Sequence, residues 1–188
     1  MSVLRVVGIS GSLRQGSYNR SLLRASIELA PAALSLETFD LAGVPLYDGD
    51  VEALGDPGPV TALKNAIAGA DGVLFATPEY NHGVPGVLKN AVDCASRPPQ
   101  KAVLNGKAVG IIGASPGLTG TARGQSQLRQ AFEFTNSYAM PQPELLVFHA
   151  HEKFDAQGRL TDDHARQSLE KYLMAFLAWM RKCKMEVP

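Results

Sequence analysis

The chain has 188 residues, a length that suits one domain around a single core. Lys+Arg and Asp+Glu both number 18, so no overall field draws nucleic acid or an anionic membrane surface. Only Cys94 and Cys183 occur, outside any CxxC or metal-ligand spacing, and no apolar run approaches the roughly 18 residues of a membrane span, so a reducing, cytoplasmic setting is expected.

Short β-like runs alternate with helical patterns, the order of a parallel sheet with helices on both faces. Strands are predicted over residues 4–9, 35–39, 72–76, 108–112 and 145–148. Helices are predicted over 19–30, 60–68, 85–95, 122–138 and 161–182, with Pro85 in a first-turn position. Residues 40–50 read as a turn-rich surface stretch. Asp48 and Asp50 there lack the closing Glu of a calcium loop and are expected to be solvated turn residues.

The first strand runs into Ser10-Gly11-Ser12-Leu13-Arg14-Gln15-Gly16-Ser17-Tyr18-Asn19, a loop crowded with small, hydroxyl and basic residues just before a helix. Small residues let backbone N–H groups converge, Ser10, Ser12 and Ser17 add hydroxyls, and Arg14 adds charge beside the positive end of the helix dipole. The natural guest is a phosphate. Gly16 is followed by Ser17-Tyr18 rather than Lys-Ser or Lys-Thr, which excludes a Walker loop. Glycines at 8, 11 and 16 do not make the dinucleotide fingerprint either. One terminal phosphomonoester fits what remains.

Elaborate loops also follow strands three and four, and in such sheets ligands bind outside the carboxyl ends of the strands. Pro78-Glu79-Tyr80-Asn81-His82-Gly83 offers an aromatic ring and backbone amides suited to a flat heterocycle, with His82 expected on the rim. Gly113-Ala114-Ser115-Pro116-Gly117 matches the G-x-S-x-G nucleophile elbow, but Pro116 has no N–H to give an oxyanion hole. No Asp lies between Ser115 and His149 or His151 to complete a triad. The same loop reads instead as a glycine-rich floor, with Gly117 and Gly120 permitting close approach. One phosphate and one planar ring describe a mononucleotide-like cofactor. FMN fits better than a nucleoside monophosphate, because its ring brings redox chemistry to loops poor in nucleophiles.

Gly11 to Asn19, Thr77-Pro78-Glu79-Tyr80-Asn81 with Val84-Pro85-Gly86-Val87-Leu88-Lys89-Asn90-Ala91-Val92-Asp93, and Ser115-Pro116-Gly117 together resemble the NADPH-dependent FMN reductase family, in its quinone and chromate reductase branch. The resemblance implies a flavodoxin-like three-layer sandwich with a five-stranded parallel sheet. It implies that Ser10, Ser12, Leu13, Arg14, Ser17 and Asn19 hold the FMN phosphate. Pro78, Glu79, Tyr80 and Asn81 would line the isoalloxazine, and Ser115, Gly117 and Gly120 would close its other side. The implied reaction takes hydride from NADPH or NADH to the flavin and then reduces quinones, chromate, azo or nitro compounds, or free flavin, with no side chain acting as acid or base. A homodimer or homotetramer is implied, with a neighbouring subunit bordering the flavin. The third loop departs from the family's usual Gly-Gly pair, reading Gly120-Thr121 after Thr119, which bears on the acceptor pocket.

Overall fold

The computed structural model describes residues 2–185. Its elements run β1 (Leu4–Ser10), α1 (Tyr18–Glu28), β2 (Leu34–Phe39), α2 (Gly49–Ala53), α3 (Gly58–Ala68), β3 (Gly72–Ala76), α4 (Gly86–Ala95), β4 (Ala108–Ala114), α5 (Ala122–Phe134), β5 (Tyr138–Ala139), β6 (Leu145–Val147), α6 (Ala150–Lys153) and α7 (Asp163–Met185). All strand pairings are parallel, in the order β2-β1-β3-β4, with both β5 and β6 on the far side of β4. That is the flavodoxin-like order, and it reverses direction between β1 and β3, where the site is expected.

Alternation along the strands divides the core in two. Val6, Leu74, Ala76 and Ile112 pack with Leu22 and Leu23 of α1 and with Leu169, Tyr172 and Phe176 of α7. Val7, Ile9, Val73, Phe75, Val109 and Ile111 pack on the other face with α3, α4 and α5, including Leu63, Leu88 and Phe132. Strands apolar on both sides are what a helix layer on each face requires. No helix among the described residues is long and apolar enough to cross a membrane.

The predicted fifth strand is corrected: six strands occupy five positions, because that strand is split. The helix predicted to Tyr138 ends at Phe134, and Asn136 takes a left-handed φ of 54° that turns the chain back toward the sheet. Tyr138 and Ala139 then pair with Ala108 and Val109, while Leu145 to Val147 pair with Ile112 to Ala114. In the gap between them the N–H of Ile111 donates to the buried Tyr172 hydroxyl at 2.6 Å. Two short helices escape the sequence pattern. The turn-rich stretch contains α2, with Asp48 as its N-cap accepting from Asp50 N at 2.9 Å, and α6 follows β6 directly. Pro85 is the N-cap of α4 rather than a helical residue.

Candidate functional site

The first loop is held by its own hydroxyls. Ser10 Oγ accepts from Ser12 N at 3.3 Å, and Ser12 Oγ accepts from Arg14 N at 3.4 Å. Ser17 is the N-cap of α1, its Oγ taking Asn19 N at 3.2 Å and Arg20 N at 3.4 Å. The N–H groups of Leu13, Gln15 and Gly16 find no hydrogen-bond partner among the described residues. They sit at the positive end of α1 beside the exposed Arg14. Unpartnered amides, hydroxyls and a guanidinium at a helix N-terminus are an anion receptor. The loop fits one phosphate.

The Asn19 side chain is buried, with Nδ2 donating to Ala114 O and Oδ1 accepting from Ala114 N, both at 2.9 Å. An amide that satisfies a peptide unit in both directions ties α1 to β4, and the second Nδ2 hydrogen is left over from that pair. Gly11 brings the first loop against the second. A Cβ there would lie 3.0 Å from Leu88 Cδ2 and Pro85 Cγ and 3.1 Å from Pro78 Cδ.

The second loop is a tight hairpin. Tyr80 and Gly83 exchange backbone bonds of 3.1 and 3.0 Å across Asn81 and His82, whose φ values of 51° and 62° match a type I′ turn. Asn tolerates that conformation and His does so at a cost in strain. Tyr80 is half exposed, and its hydroxyl lies 3.4 Å from Ser12 Oγ, joining the loops expected to hold ring and phosphate.

The side chain of Glu79 has a second task besides the ring-lining place expected of its backbone. Its carboxylate is 7% exposed and faces α5. Oε2 accepts from Arg123 N at 2.9 Å and Gly124 N at 3.1 Å, while Oε1 accepts from Arg123 Nη1 at 3.2 Å. Burial pushes the carboxyl pKa up, but the hydrogen bonds from Gly124 and Arg123 outweigh it and hold the group below its ordinary value. Glu79 is thus a cap supplied from a distance, since Thr121 at the N-cap position makes no side-chain cap bond. Gly124 lets that helix end come close. A Cβ there would lie 3.2 Å from Pro78 O and 3.3 Å from Gly83 O. Gln127 adds a second tie, its Oε1 accepting from Val84 N at 3.0 Å. Arg123, Gly124 and Gln127 escaped the sequence reading, and nothing local to residues 78–84 signals them.

In the third loop Ser115 Oγ accepts from Gly117 N at 3.1 Å, making a small turn. Ser115 also bonds through its backbone to Val147 and Ala150. Gly117 is exposed, whereas Gly120, at φ 59°, is buried, and a Cβ there would meet Leu146 Cβ at 3.1 Å. Gly120 thus permits the close approach of this loop to β6. Thr121 is fully buried, its hydroxyl accepting from Gln125 Nε2 at 3.1 Å, while Thr119 stays exposed beside Arg123. The departure from Gly-Gly is thus half packing and half rim.

All three loops open at the carboxyl edge around the β1/β3 switch point. The model of the NADPH-dependent FMN reductase family matches residues 4–152. An NAD(P)H-dependent FMN reductase of Pseudomonas aeruginosa is 48% identical over 181 residues, covering 96% of this chain and 97% of that protein. A 2-hydroxy-1,4-benzoquinone reductase of a Burkholderia species is 41% identical, covering 95% and 97%. The solved structure of FerB, a flavoenzyme NAD(P)H:(acceptor) oxidoreductase of Paracoccus denitrificans, superposes with a TM-score of 0.88 at 35% identity, covering 96% of this chain and 98% of that one. The fold order, the anion-receiving first loop and this full-length similarity agree, and the chain belongs to the NADPH-dependent FMN reductase family.

Proposed function

We propose that this chain is an FMN-dependent NAD(P)H oxidoreductase acting on quinones or similar small acceptors, with its 188 residues forming one FMN-binding domain. The observation that carries the reading is the unpartnered N–H cluster of Leu13, Gln15 and Gly16 on the same sheet edge as the hairpin locked to α5. When bound, FMN would supply the redox chemistry that links a nicotinamide donor to a small acceptor.

The residues divide the remaining work. Backbone amides of the first loop, the hydroxyls of Ser10, Ser12 and Ser17, and Arg14 bind the phosphate. Pro78, Tyr80 and Asn81 border the ring on one side and Ser115 and Gly117 on the other, while Glu79 fixes the pitch between these walls. None of these side chains needs to move a proton. The names of the Pseudomonas and Burkholderia relatives support a nicotinamide donor and a quinone acceptor. A homodimer or homotetramer in which a neighbouring subunit borders the site completes the proposal. Dependence on a nicotinamide donor supports cytoplasmic residence.

The test is an anaerobic absorbance scan of the FMN-reconstituted protein. Bleaching by NADPH and recovery on adding a quinone is the expected result. A band that survives NADPH would make the protein an electron carrier, and failure to bind flavin would overturn the reading.

A further inference from the structure

The split outer strand leaves a gap beside β4 that lies apart from the three loops of the site. A continuous strand there would have to donate ladder bonds from residues 140–144, but Pro141 and Pro143 carry no N–H, and the strand breaks between β5 and β6. From the α7 side Tyr172 supplies the partner that Ile111 N would otherwise lack. From the other face α5 sends in Gln125 and Arg129, one turn apart on the same side of the helix.

Each of these two side chains is satisfied at one end only. Gln125 is 1% exposed and donates from Nε2 to Thr121 Oγ1 at 3.1 Å and to Leu145 O at 3.0 Å. A peptide carbonyl can only accept, so the amide orientation is fixed and Oε1 needs a donor from elsewhere. Arg129 donates from Nη1 to Met140 O at 2.8 Å and pairs with no carboxylate among the described residues. Gln125 Oε1 and Arg129 Nη2 are both buried, and neither has a hydrogen-bond partner among the described residues. One is an acceptor and the other a donor. Folded interiors seldom leave such atoms unmatched, because each gives up its hydration for nothing.

We propose that the gap is an internal hydration site, in which a water molecule accepts from Arg129 Nη2 and donates to Gln125 Oε1. The walls select the guest. An anion would face Gln125 Oε1 and the carbonyls of Met140 and Leu145, and a cation would face the Arg129 guanidinium. A small neutral molecule that both donates and accepts matches the two unpaired atoms. Helix positions four apart lie roughly 5–6 Å from each other at Cβ, a separation that one bridging water spans. α5 is then held to the second loop by direct bonds from Arg123, Gly124 and Gln127, and to the split strand partly through water.

The test joins a high-resolution crystal structure of the full chain to oxygen-17 relaxation dispersion, which counts long-lived internal waters. A water peak within about 3 Å of both Gln125 Oε1 and Arg129 Nη2 is the expected result. Arg129→Met and Gln125→Leu should each lose one long-lived water relative to the unaltered protein. No peak at that point, a direct bond between Oε1 and Nη2, a bromide peak there after a bromide soak, or an unchanged count in a folded variant would overturn the proposal. Should neither variant fold, the density in the unaltered chain decides alone.

Discussion

The loop between β1 and α1 is organised by side-chain bonds that span two or three residues, Ser10 to Ser12, Ser12 to Arg14 and Ser17 to Asn19 and Arg20. The loop after β3 is held by bonds to α5 that cross 43 to 45 residues, from Glu79 to Arg123 and Gly124 and from Val84 to Gln127. A self-organised loop takes its shape as soon as its strand and helix are in place. A loop shaped by a distant helix takes its shape only when the whole domain has packed. Substitutions in the first should therefore change ligand affinity at a smaller cost in stability, and substitutions in the second should change both together.

Asn19 is the sharpest exception, because it stands beside the first loop yet bonds across 95 residues. Asn19→Ala leaves both the N–H and the C=O of buried Ala114 unsatisfied, and should cost roughly 3 kcal/mol in urea unfolding. Glu79→Gln comes next. It removes the charge that caps α5 and should cost about 2 kcal/mol, with FMN affinity falling in parallel in a fluorescence titration. The pH dependence follows in sign. The Glu79 pKa lies below its ordinary value of 4.5, so its stabilisation is complete above that value and is lost as pH falls through the lowered one. Urea midpoints followed from neutral pH to about pH 3 should therefore fall less steeply in Glu79→Gln than in the unaltered protein.

Ser17→Ala should cost about 1 kcal/mol as the loss of a helix N-cap, and should weaken FMN as well. The smallest change in stability is expected for the exposed Arg14→Ala, within about 0.5 kcal/mol, and the buried Ser12→Ala should cost about 1 kcal/mol, although both should release FMN about ten-fold more readily. Equal destabilisation by Ser12→Ala and Glu79→Gln would break the distinction between the two loops. Unchanged FMN affinity in both Ser12→Ala and Arg14→Ala would defeat the phosphate assignment.

The same distinction explains what could be read from the chain. Strand periodicity and the first loop are contiguous patterns, so β1 to β4 and the anion receptor were legible in residues that lie side by side. Glu79 was legible as part of a ring-lining motif but not as a cap, because its partners lie on another element. The tie that Asn19 makes was hidden for a related reason, since its partner Ala114 lies 95 residues along the chain. The short helix α2 buries none of its residues and so leaves no apolar period to detect. The split of the fifth strand was invisible because Leu145 to Val147 alone satisfy the expected pattern, and Tyr138 and Ala139 look like the end of a helix.

That split has a consequence at the sheet's margin. An uninterrupted outer strand offers a row of free peptide groups on which a foreign strand can zip, the usual start of edge-to-edge association. Here the row is cut to pieces of two and three residues, β5 and β6. Carbonyls flanking the cut are taken by Arg129 Nη1 on Met140 O at 2.8 Å and by Gln125 Nε2 on Leu145 O at 3.0 Å. The margin beside β4 is thereby a poor template for intermolecular pairing, and the longer β2 at the opposite side is the place where such pairing would begin.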